Sequence, residues 1–402
     1  MPLTNTADRF GSVSKTFHWL TALGIIVLMP LGLIANGMPY ETSEQLADKA
    51  WMFSLHKTVG VAVFFVALAR IVWAISQPKP GLLHPDRKVE TLAAETVHWL
   101  LYGSLVVVPL SGWIHHAATT GFAPIWWPFG QNLPPVPKSE IVASIFGGAH
   151  FVLTKVLALS LLLHIAGALK HHVIDKDATL RRMWFGTTDA PKTTGSHNHA
   201  KPIAVALAFW AIALSVGGAL GAYAPHETPG TAIALEEVQS DWQVQEGTLS
   251  IEVTQLGSEV SGTFADWTAA IIFDEKVDNG PAGSVAVNVS IGSLTLGSVT
   301  SQAMGPDFFN AESFPTAEFI ADIISVVDGY EARGTLTIKD QSMPLTLPFG
   351  LSVTEEGAWM TGNATLDRRD FGIGDNMADE TSLKFAVEVK VELMATRAVG
   401  ED

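Results

Sequence analysis

The chain has 402 residues, with 24 Lys and Arg against 40 Asp and Glu, and its formal net charge is −16. This length indicates two or three domains rather than one. The absence of cysteine excludes disulfides, thiolate nucleophiles, iron–sulfur clusters and covalently attached c-type haem. The basic residues are too few and too scattered for a nucleic-acid-binding surface, so no nucleic-acid partner is expected.

The charge is divided unevenly along the chain. Residues 1–226 contain all 13 histidines, with 16 Lys and Arg against 11 Asp and Glu. Residues 227–402 contain 8 Lys and Arg against 29 Asp and Glu, and no histidine. A metal or haem site that needs histidine therefore belongs to the first part.

Five stretches of the first part are long and apolar enough to cross a bilayer as helices. They cover roughly 17–36, 52–75, 96–114, 147–169 and 203–222. The polar segment before the first stretch has no small-residue cleavage site, which favours a retained span over a signal peptide.

The loop charges predict the orientation of these spans. The N-terminus and the connections 76–95 and 170–202 hold eleven basic residues, whereas 37–51 and 115–146 hold two. Because basic loops stay in the cytoplasm, we expect a cytoplasmic N-terminus and an external location for everything after about residue 223.

The predicted domain order is a four-span domain at 1–186, a cytoplasmic linker at 187–202, a fifth transmembrane helix at 203–223 and an external domain at 227–402. The linker contains His197 and His199. Two loop histidines without a third ligand are weak evidence for a metal site, so solvated side chains are the preferred interpretation.

Four histidines in the four-span domain fall at two matching depths. His18 begins span one and His56 lies near the outer end of span two, while His150 and His164 belong to span four. The 14 positions between the last two turn a helix by about 1400°, so both project from one face about 21 Å apart. The depths pair His18 with His164 and His56 with His150, an arrangement that suits bis-imidazole ligation of two b-type haems. A hydrogen-bonded core role is the alternative for each histidine, but ionisable groups inside membranes are costly enough to favour function.

Three cations in the spans accompany these histidines. Lys57 and Lys155 flank the outer pair and Arg70 lies near the inner level. Each could contact a haem propionate or attract an anionic substrate, and Arg70 could instead reach the headgroups.

The remaining histidines of the bundle have a weaker case as ligands. His98 could approach the inner haem but has no partner histidine. His115, His116, His171 and His172 lie at helix ends, with a quinone or propionate contact as the minority interpretation.

The segments SKTFHWL, SLHKTVG, HWLLYGSLVVVPLSGW and HHVIDKDATLRRMW, with His150 and His164 between them, resemble the bacterial cytochrome b561 family over about residues 8–186. The resemblance implies a four-helix bundle in the cytoplasmic membrane with two haem b groups on His18 with His164 and His56 with His150. Members exchange electrons with ubiquinone, and some oxidise superoxide at the outer face. The region is also similar to the di-haem subunits of nickel hydrogenases and formate dehydrogenases.

The residue pattern of 227–402, the acidic part of the chain, predicts an all-β antiparallel barrel. In KFAVEVKVEL, at 384–393, apolar and charged side chains alternate strictly, as on a strand with one buried face. Five further segments behave similarly, and six to eight such strands can enclose one apolar ligand.

The phrases GTFADWTAAIIFDE, GPDFFNAESFPTAEF and LDRRDFGIG resemble YceI-family domains over about 234–396. This resemblance implies a lipocalin-like periplasmic barrel that holds an isoprenoid chain. The candidate lipid contacts, which are equally consistent with ordinary barrel core, are Trp242, Phe264, Trp267, Phe309, Phe314 and Phe319.

The sequence therefore predicts an oxidoreductase of the bacterial inner membrane that oxidises superoxide and reduces ubiquinone, fused to an isoprenoid-binding barrel. Two alternatives stay open. The first is a quinol-oxidising cytochrome with a periplasmic electron acceptor, and the second is an isoprenoid carrier or sensor whose haems report redox state. The oligomeric state is left open.

Overall fold

The computed structural model describes residues 2–186, 199–224, 233–236, 238, 240–354 and 357–398. The chain forms two compact units. The first comprises Met1–Met38, Trp51–Thr119 and Pro124–His226, and the second comprises Pro39–Ala50, Thr120–Ala123 and Glu227–Asp402. Most of the predicted linker, residues 187–198, lies outside the described residues.

The first half of the chain is helical. Its described helices are α1 (Ser12–Gly37), α2 (Ser43–Ser76), α3 (Lys88–Ala118), α4 (Glu140–Lys170), α5 (Thr179–Met183) and α6 (Ala200–Ala219), with a π-helical turn at His171–Asp175 directly after α4. Ser139 is the N-cap of α4, and its side chain accepts a hydrogen bond from the Val142 amide at 3.4 Å.

Five of the described helices, α1, α2, α3, α4 and α6, are long and apolar enough to cross a membrane. The first four contain the predicted spans and extend beyond them at both ends, whereas α6 begins before the predicted fifth span and ends at Ala219, short of the predicted end at 222. The chain is thus a multi-pass membrane protein, and the exposed apolar side chains of these helices are those that a bilayer would cover.

The core of the first unit is built by α1 to α4 together. Each helix contributes a buried apolar side chain to one cluster, as Ile25, Val63, Leu105 and Leu153 do. Helix α6 packs on α3 and α4, where Ala206 forms a buried apolar cluster with Leu100 and Val156. The fifth span is therefore part of this unit.

The second half of the chain is an antiparallel sheet, as predicted. Its strands are β1 (Trp242–Gln255), β2 (Ser258–Phe264), β3 (Trp267–Phe273), β4 (Gly280–Ser290), β5 (Leu294–Thr295), β6 (Thr316–Val326), β7 (Gly329–Ile338), β8 (Gln341–Val353), β9 (Ala358–Asp367) and β10 (Leu383–Arg397). One short helix, α7 (Thr300–Ala303), and 3-10 turns at Ile291–Ser293, Gly297–Val299 and Arg368–Phe371 interrupt them.

The strand order is β3-β4-β6-β7-β8-β9-β10-β1-β2-β5. The Asp241 amide, just before β1, donates to the Ile271 carbonyl of β3 at 3.0 Å, which brings the β3 edge back to β1. The alternation predicted for β10 is confirmed, because Val387, Val389 and Val391 line the interior while Lys390 is exposed. The result is the predicted barrel, with an apolar inner face.

Candidate functional site

The first unit brings the four predicted histidines together as two pairs. The rings of His18 on α1 and His164 on α4 have centroids 6.1 Å apart, with 58° between their planes. The rings of His56 on α2 and His150 on α4 have centroids 6.5 Å apart and are nearly perpendicular. These are the pairs that the sequence depths predict, and α4 supplies one member of each.

Backbone carbonyls orient the rings of the His56–His150 pair. His56 Nδ1 donates to the Leu28 carbonyl at 3.1 Å, and His150 Nδ1 donates to the Val108 carbonyl at 2.8 Å. Because a carbonyl only accepts, the proton of each neutral ring must lie on Nδ1, and the Nε2 lone pair stays available. A hydrogen bond on one ring nitrogen is how proteins prepare the other to bind a metal.

Two glycines make room for the same two rings. A Cβ at Gly32 would lie 2.8 Å from His56 Cε1, and a Cβ at Gly112 would lie 2.9 Å from His150 Nδ1. Both distances are shorter than side chains tolerate, so these helix positions accept only glycine while the rings keep their places. Glycine inside a helix costs about 1 kcal/mol relative to alanine, which is consistent with a specific packing role.

The pairs fit a metal between their rings. Metal–imidazole bonds of about 2.0–2.1 Å on both sides of one metal would separate the ring centroids by about 6 Å. The observed separations are 6.1 and 6.5 Å. A donor set of two neutral imidazoles per site would suit the iron of a b-type haem.

The three predicted cations lie close to polar or aromatic partners. Lys57 Nζ lies 3.4 Å from His116 Nδ1, and Lys155 Nζ lies 4.7 Å from the centroid of the Phe151 ring. Arg70 donates to Thr21 Oγ1 at 2.5 Å, one helical turn from His18, and its guanidinium lies over the Tyr102 ring. Arg70 is therefore directed into the bundle at the level of the His18–His164 pair.

The other histidines differ in their contacts. The His98 ring lies 5.0 Å from that of His164, and its Nδ1 donates to the Ala94 carbonyl of its own helix. His115 Nδ1 donates to the Ala143 carbonyl at 2.7 Å. His171 contacts acidic side chains, and His172 is exposed. His199 packs against Trp99, whereas His197 lies outside the described residues.

The barrel encloses an apolar cavity of about 290 Å³. Five of the six predicted lipid contacts line it, namely Trp242, Phe264, Trp267, Phe309 and Phe319. Phe314 is not among the described lining residues.

Three polar side chains in the cavity wall, which the sequence analysis did not single out, are Gln255, Gln302 and Arg368. Gln255 Oε1 and Gln302 Nε2 are buried without a hydrogen-bond partner among the described residues. Gln255 lies in a segment predicted as a barrel strand and Gln302 lies in α7, outside the predicted strands, so the sequence carried no signal for either as a cavity residue.

Arg368 is the one charged side chain among the described lining residues, and its guanidinium is fully used. Its N–H groups donate to the backbone carbonyls of Lys384, Ile373, Gly374, Met377 and Leu383. A guanidinium has five N–H donors, so none is left for a ligand. Burial lowers the pKa of Arg368 from its usual value, but the nearby Asp367 and Asp375 oppose that effect.

Comparison with known proteins divides the chain at the same place. Residues 9–186 match the family model described as prokaryotic cytochrome b561, and residues 242–395 match the YceI-like domain model. Cytochrome b561 homolog 2 of Escherichia coli (strain K12) is 32% identical over 190 residues, which is 46% of this chain and 95% of that protein.

Two further matches are more distant. The probable superoxide oxidase CybB of Yersinia pestis is 25% identical over 176 residues, covering 44% of this chain and 95% of that protein. The crystal structure of Burkholderia cenocepacia BcnA is 25% identical with a TM-score of 0.36, covering 39% of this chain and 100% of that chain.

Proposed function

The chain belongs to the prokaryotic cytochrome b561 family, and from this premise we propose that it binds two b-type haems and transfers electrons from superoxide to ubiquinone. The observation that carries the proposal is the pairing of four histidines at ring separations of 6.1 and 6.5 Å. His18 and His164 would hold one haem, and His56 and His150 the other. When bound, the two haems supply one-electron redox chemistry across the membrane.

The protein groups around the pairs do the positioning. The Leu28 and Val108 carbonyls hold the His56 and His150 rings in the Nδ1–H tautomer, so that both present a neutral Nε2. Gly32 and Gly112 allow the rings to lie against the helix backbone. Preset rings lose little freedom on binding the cofactor, and this favours tight retention without a covalent bond.

We assign the electron donor to the His56–His150 end of the bundle. Lys57 and Lys155 lie one residue after His56 and five after His150. Positive charge near a small anion's entry point raises its local concentration, which suits superoxide. At the other end, the guanidinium of Arg70 is held by Thr21 and Tyr102 and is suited to a haem propionate.

The loop charges support placement in the bacterial inner membrane with the N-terminus in the cytoplasm. Five spans would then put the barrel in the periplasm, on the side of the His56–His150 pair. The covalent connection through α6 would keep the barrel on that side of the membrane.

The barrel would hold an isoprenoid chain, and its wall favours a quinone over a phosphorylated lipid. The cavity is apolar apart from the two glutamine amides, which offer a hydrogen-bond acceptor at Gln255 and a donor at Gln302. A phosphate would need a cation, and the guanidinium of Arg368 is occupied by backbone carbonyls. A quinone or quinol head can accept or donate without bringing a charge into the cavity.

The proposal is tested on the purified full-length protein. A pyridine haemochrome assay should give two b-type haems per chain, extractable with acid acetone because the sequence has no cysteine. Superoxide generated by a steady source should reduce the haems and then a soluble ubiquinone analogue catalytically. Haem reduction by ubiquinol together with no response to superoxide would support the quinol-oxidising alternative, and no turnover in either direction would support the carrier alternative.

A further inference from the structure

A second group of metal-ligand side chains lies beyond the end of α4, apart from the four paired histidines. It consists of His84, in the connection between α2 and α3, His171 in the π-helical turn, and Asp177. His84 Nε2 lies 3.0 Å and His171 Nδ1 lies 2.6 Å from the same oxygen, Asp177 Oδ2. The three ligand atoms all lie within 4.8 Å of one another.

The backbone after α4 is shaped to build this group. The π-helical turn ends at Lys176, which has φ 54° and ψ 32° in the left-handed region, and the Asp177 amide then donates to the His171 carbonyl at 3.1 Å. This turn brings Asp177 back beside His171. The Thr179 amide donates to Asp177 Oδ1 at 2.8 Å and fixes the carboxylate. Single π-helical turns occur frequently at functional sites.

His171 has a carboxylate at each ring nitrogen. Its Nδ1 faces Asp177, and its Nε2 lies 3.3 Å from Glu90 Oε1. A neutral imidazole has one N–H, so only one of its two nitrogens can donate to a carboxylate. The lone pair of the other nitrogen then repels the second carboxylate unless a cation lies between them. A metal on Nδ1 resolves the conflict, because Nε2–H can then donate to Glu90. The carboxylate–histidine–metal arrangement is a recurrent feature of metal sites.

The surrounding charges leave Asp177 available as a ligand. Lys170 Nζ contacts Glu90 at 2.5 Å and Asp175 at 2.9 Å, and Arg87 contacts Asp175 at 3.2 Å. Asp177 contacts the two imidazoles and the Thr179 amide instead. The buried guanidinium of Arg182 also lies near Asp177, and its N–H groups donate to the carbonyls of Gly81 and Asp8.

Asp177 is ionised over the whole physiological range. Its burial disfavours the charged form, but hydrogen bonds from Thr179, His171 and His84 outweigh burial and lower its pKa to about 2. The three carboxylates Glu90, Asp175 and Asp177 outnumber the two cations, Lys170 and Arg87, that pair with this cluster.

We propose that His84, His171 and Asp177 form a binding site for a divalent first-row transition cation, of which zinc is the representative. Two imidazoles and a carboxylate are ligands that zinc accepts, with a fourth position for water. Glu90 acts as a positioning residue through the His171 ring. The bound cation would join the α2–α3 connection to the segment after α4, and the site does not depend on the haem assignment.

The test measures zinc bound to the full-length protein purified with a tag that lacks histidine. The background carries His197→Ala and His199→Ala, so that these two histidines do not compete. Equilibrium dialysis against buffered free Zn²⁺, followed by elemental analysis, should give one tight zinc per chain. His84→Gln, His171→Ala and Asp177→Asn should each weaken zinc binding at least tenfold, and Glu90→Gln should weaken it about tenfold. His172→Ala, which changes an exposed neighbour, is the matched control and should bind as the parent does.

His84→Gln is the decisive variant because His84 lies in a connection outside the helices. Circular-dichroism spectra that match those of the parent establish that each variant is folded. Absence of a saturable zinc in the parent, or equal zinc binding in His84→Gln, Asp177→Asn and His172→Ala, overturns the proposal. The cluster would then be a network of hydrogen bonds and ion pairs without a metal.

Discussion

His150 Nδ1 lies 2.8 Å from the carbonyl oxygen of Val108, so a ring on α4 is oriented by the backbone of α3. Val108 immediately precedes Pro109, which has no N–H and lies inside α3. The carbonyl of Leu28 on α1 orients His56 on α2 in the same way. Each ring of this pair is thus positioned by a helix other than its own, and the pair depends on the packing of all four helices.

The first prediction concerns which histidines share a haem. His56→Ala and His150→Ala should each remove the same component of the reduced-minus-oxidised spectrum, and His18→Ala and His164→Ala should remove the other. The reason is that bis-imidazole ligation is lost when either ring is missing. Spectra of the four purified variants at equal protein concentration make the comparison. Loss of one common component in His56→Ala and His18→Ala would contradict the pairing.

The second prediction concerns the glycines beside the rings. Gly32→Ala and Gly112→Ala should each lower the occupancy of the His56–His150 site by at least half, because the new methyl group would overlap an imidazole at under 3 Å. Gly37→Ala, at the end of α1, is the control, because a Cβ there meets no atom within 4 Å. That variant should keep its haems and gain up to about 1 kcal/mol of helix stability. Full occupancy in Gly112→Ala would show that the ring can move.

The third prediction concerns attraction of superoxide. Lys57→Gln and Lys155→Gln should each lower the second-order rate of haem reduction by superoxide by about threefold to tenfold at low ionic strength. The difference from the parent should shrink as salt is added, because salt screens the attraction. Pulse radiolysis at several salt concentrations measures both effects. Lys79→Gln, in the α2–α3 connection, serves as the control, and an equal loss in that variant would argue against local steering.

The fourth prediction concerns the head group of the barrel ligand. Gln255→Leu should weaken ubiquinone retention by about fivefold or more, since one hydrogen bond in an apolar cavity contributes about 1 kcal/mol or more. Retention of a pure hydrocarbon isoprenoid should not fall. Gln245→Leu changes an exposed residue of the same strand and is the control. The measurement is lipid analysis of detergent-washed full-length protein, and stronger retention of polyprenyl phosphate than of ubiquinone in the parent would refute the neutral-head proposal.

The fifth prediction concerns why barrel and bundle share one chain. A truncation after Ala224 keeps all five apolar helices and removes the barrel. If the barrel presents quinone, the truncated protein should need several-fold more ubiquinone for half-maximal turnover while its haem spectrum is unchanged. Truncation after Arg182 would be less informative, because Lys15 donates to the carbonyl of Trp184 and Trp19 donates to that of Met183. Identical kinetics of the truncated and full-length proteins at limiting ubiquinone would contradict the idea that the barrel presents quinone to the bundle.

The sequence predicted the five spans and both folds because their signals are periodic and local. Alternation of apolar and polar residues did not predict β8 as a strand, because its segment contains Pro344, Pro348 and Gly350. The structure explains how the strand tolerates them. Residues 341–348 pair only with β7, and pairing with β9 starts at Phe349. The other edge of this part of β8 has no neighbouring strand in the described part of the chain, so the missing N–H groups of the prolines cost no interstrand hydrogen bond there.

The histidine pairs could be predicted from their depth in the membrane and from helical phase, whereas the contact between His84 and Asp177 could not. These residues are 93 positions apart, and one of them follows a π-helical turn that no simple periodicity encodes. The hydrogen bond from Arg70 to Thr21 could not be predicted either, because in the sequence Thr21 is an ordinary polar residue within an apolar span. Contacts between elements that lack a repeating pattern appear only when the chain is folded.

Helix α4 carries His150 and His164, one histidine of each pair, on a single helix. Fixing one of these rings restricts the rotation and axial position of the helix and hence of the other ring. If each pair binds a haem, as proposed, occupation of the two sites should be positively linked, with the second haem inserted more readily than the first. In cells short of haem, such linkage would yield chains with both haems or neither, and few half-loaded chains in which an electron could enter but not leave.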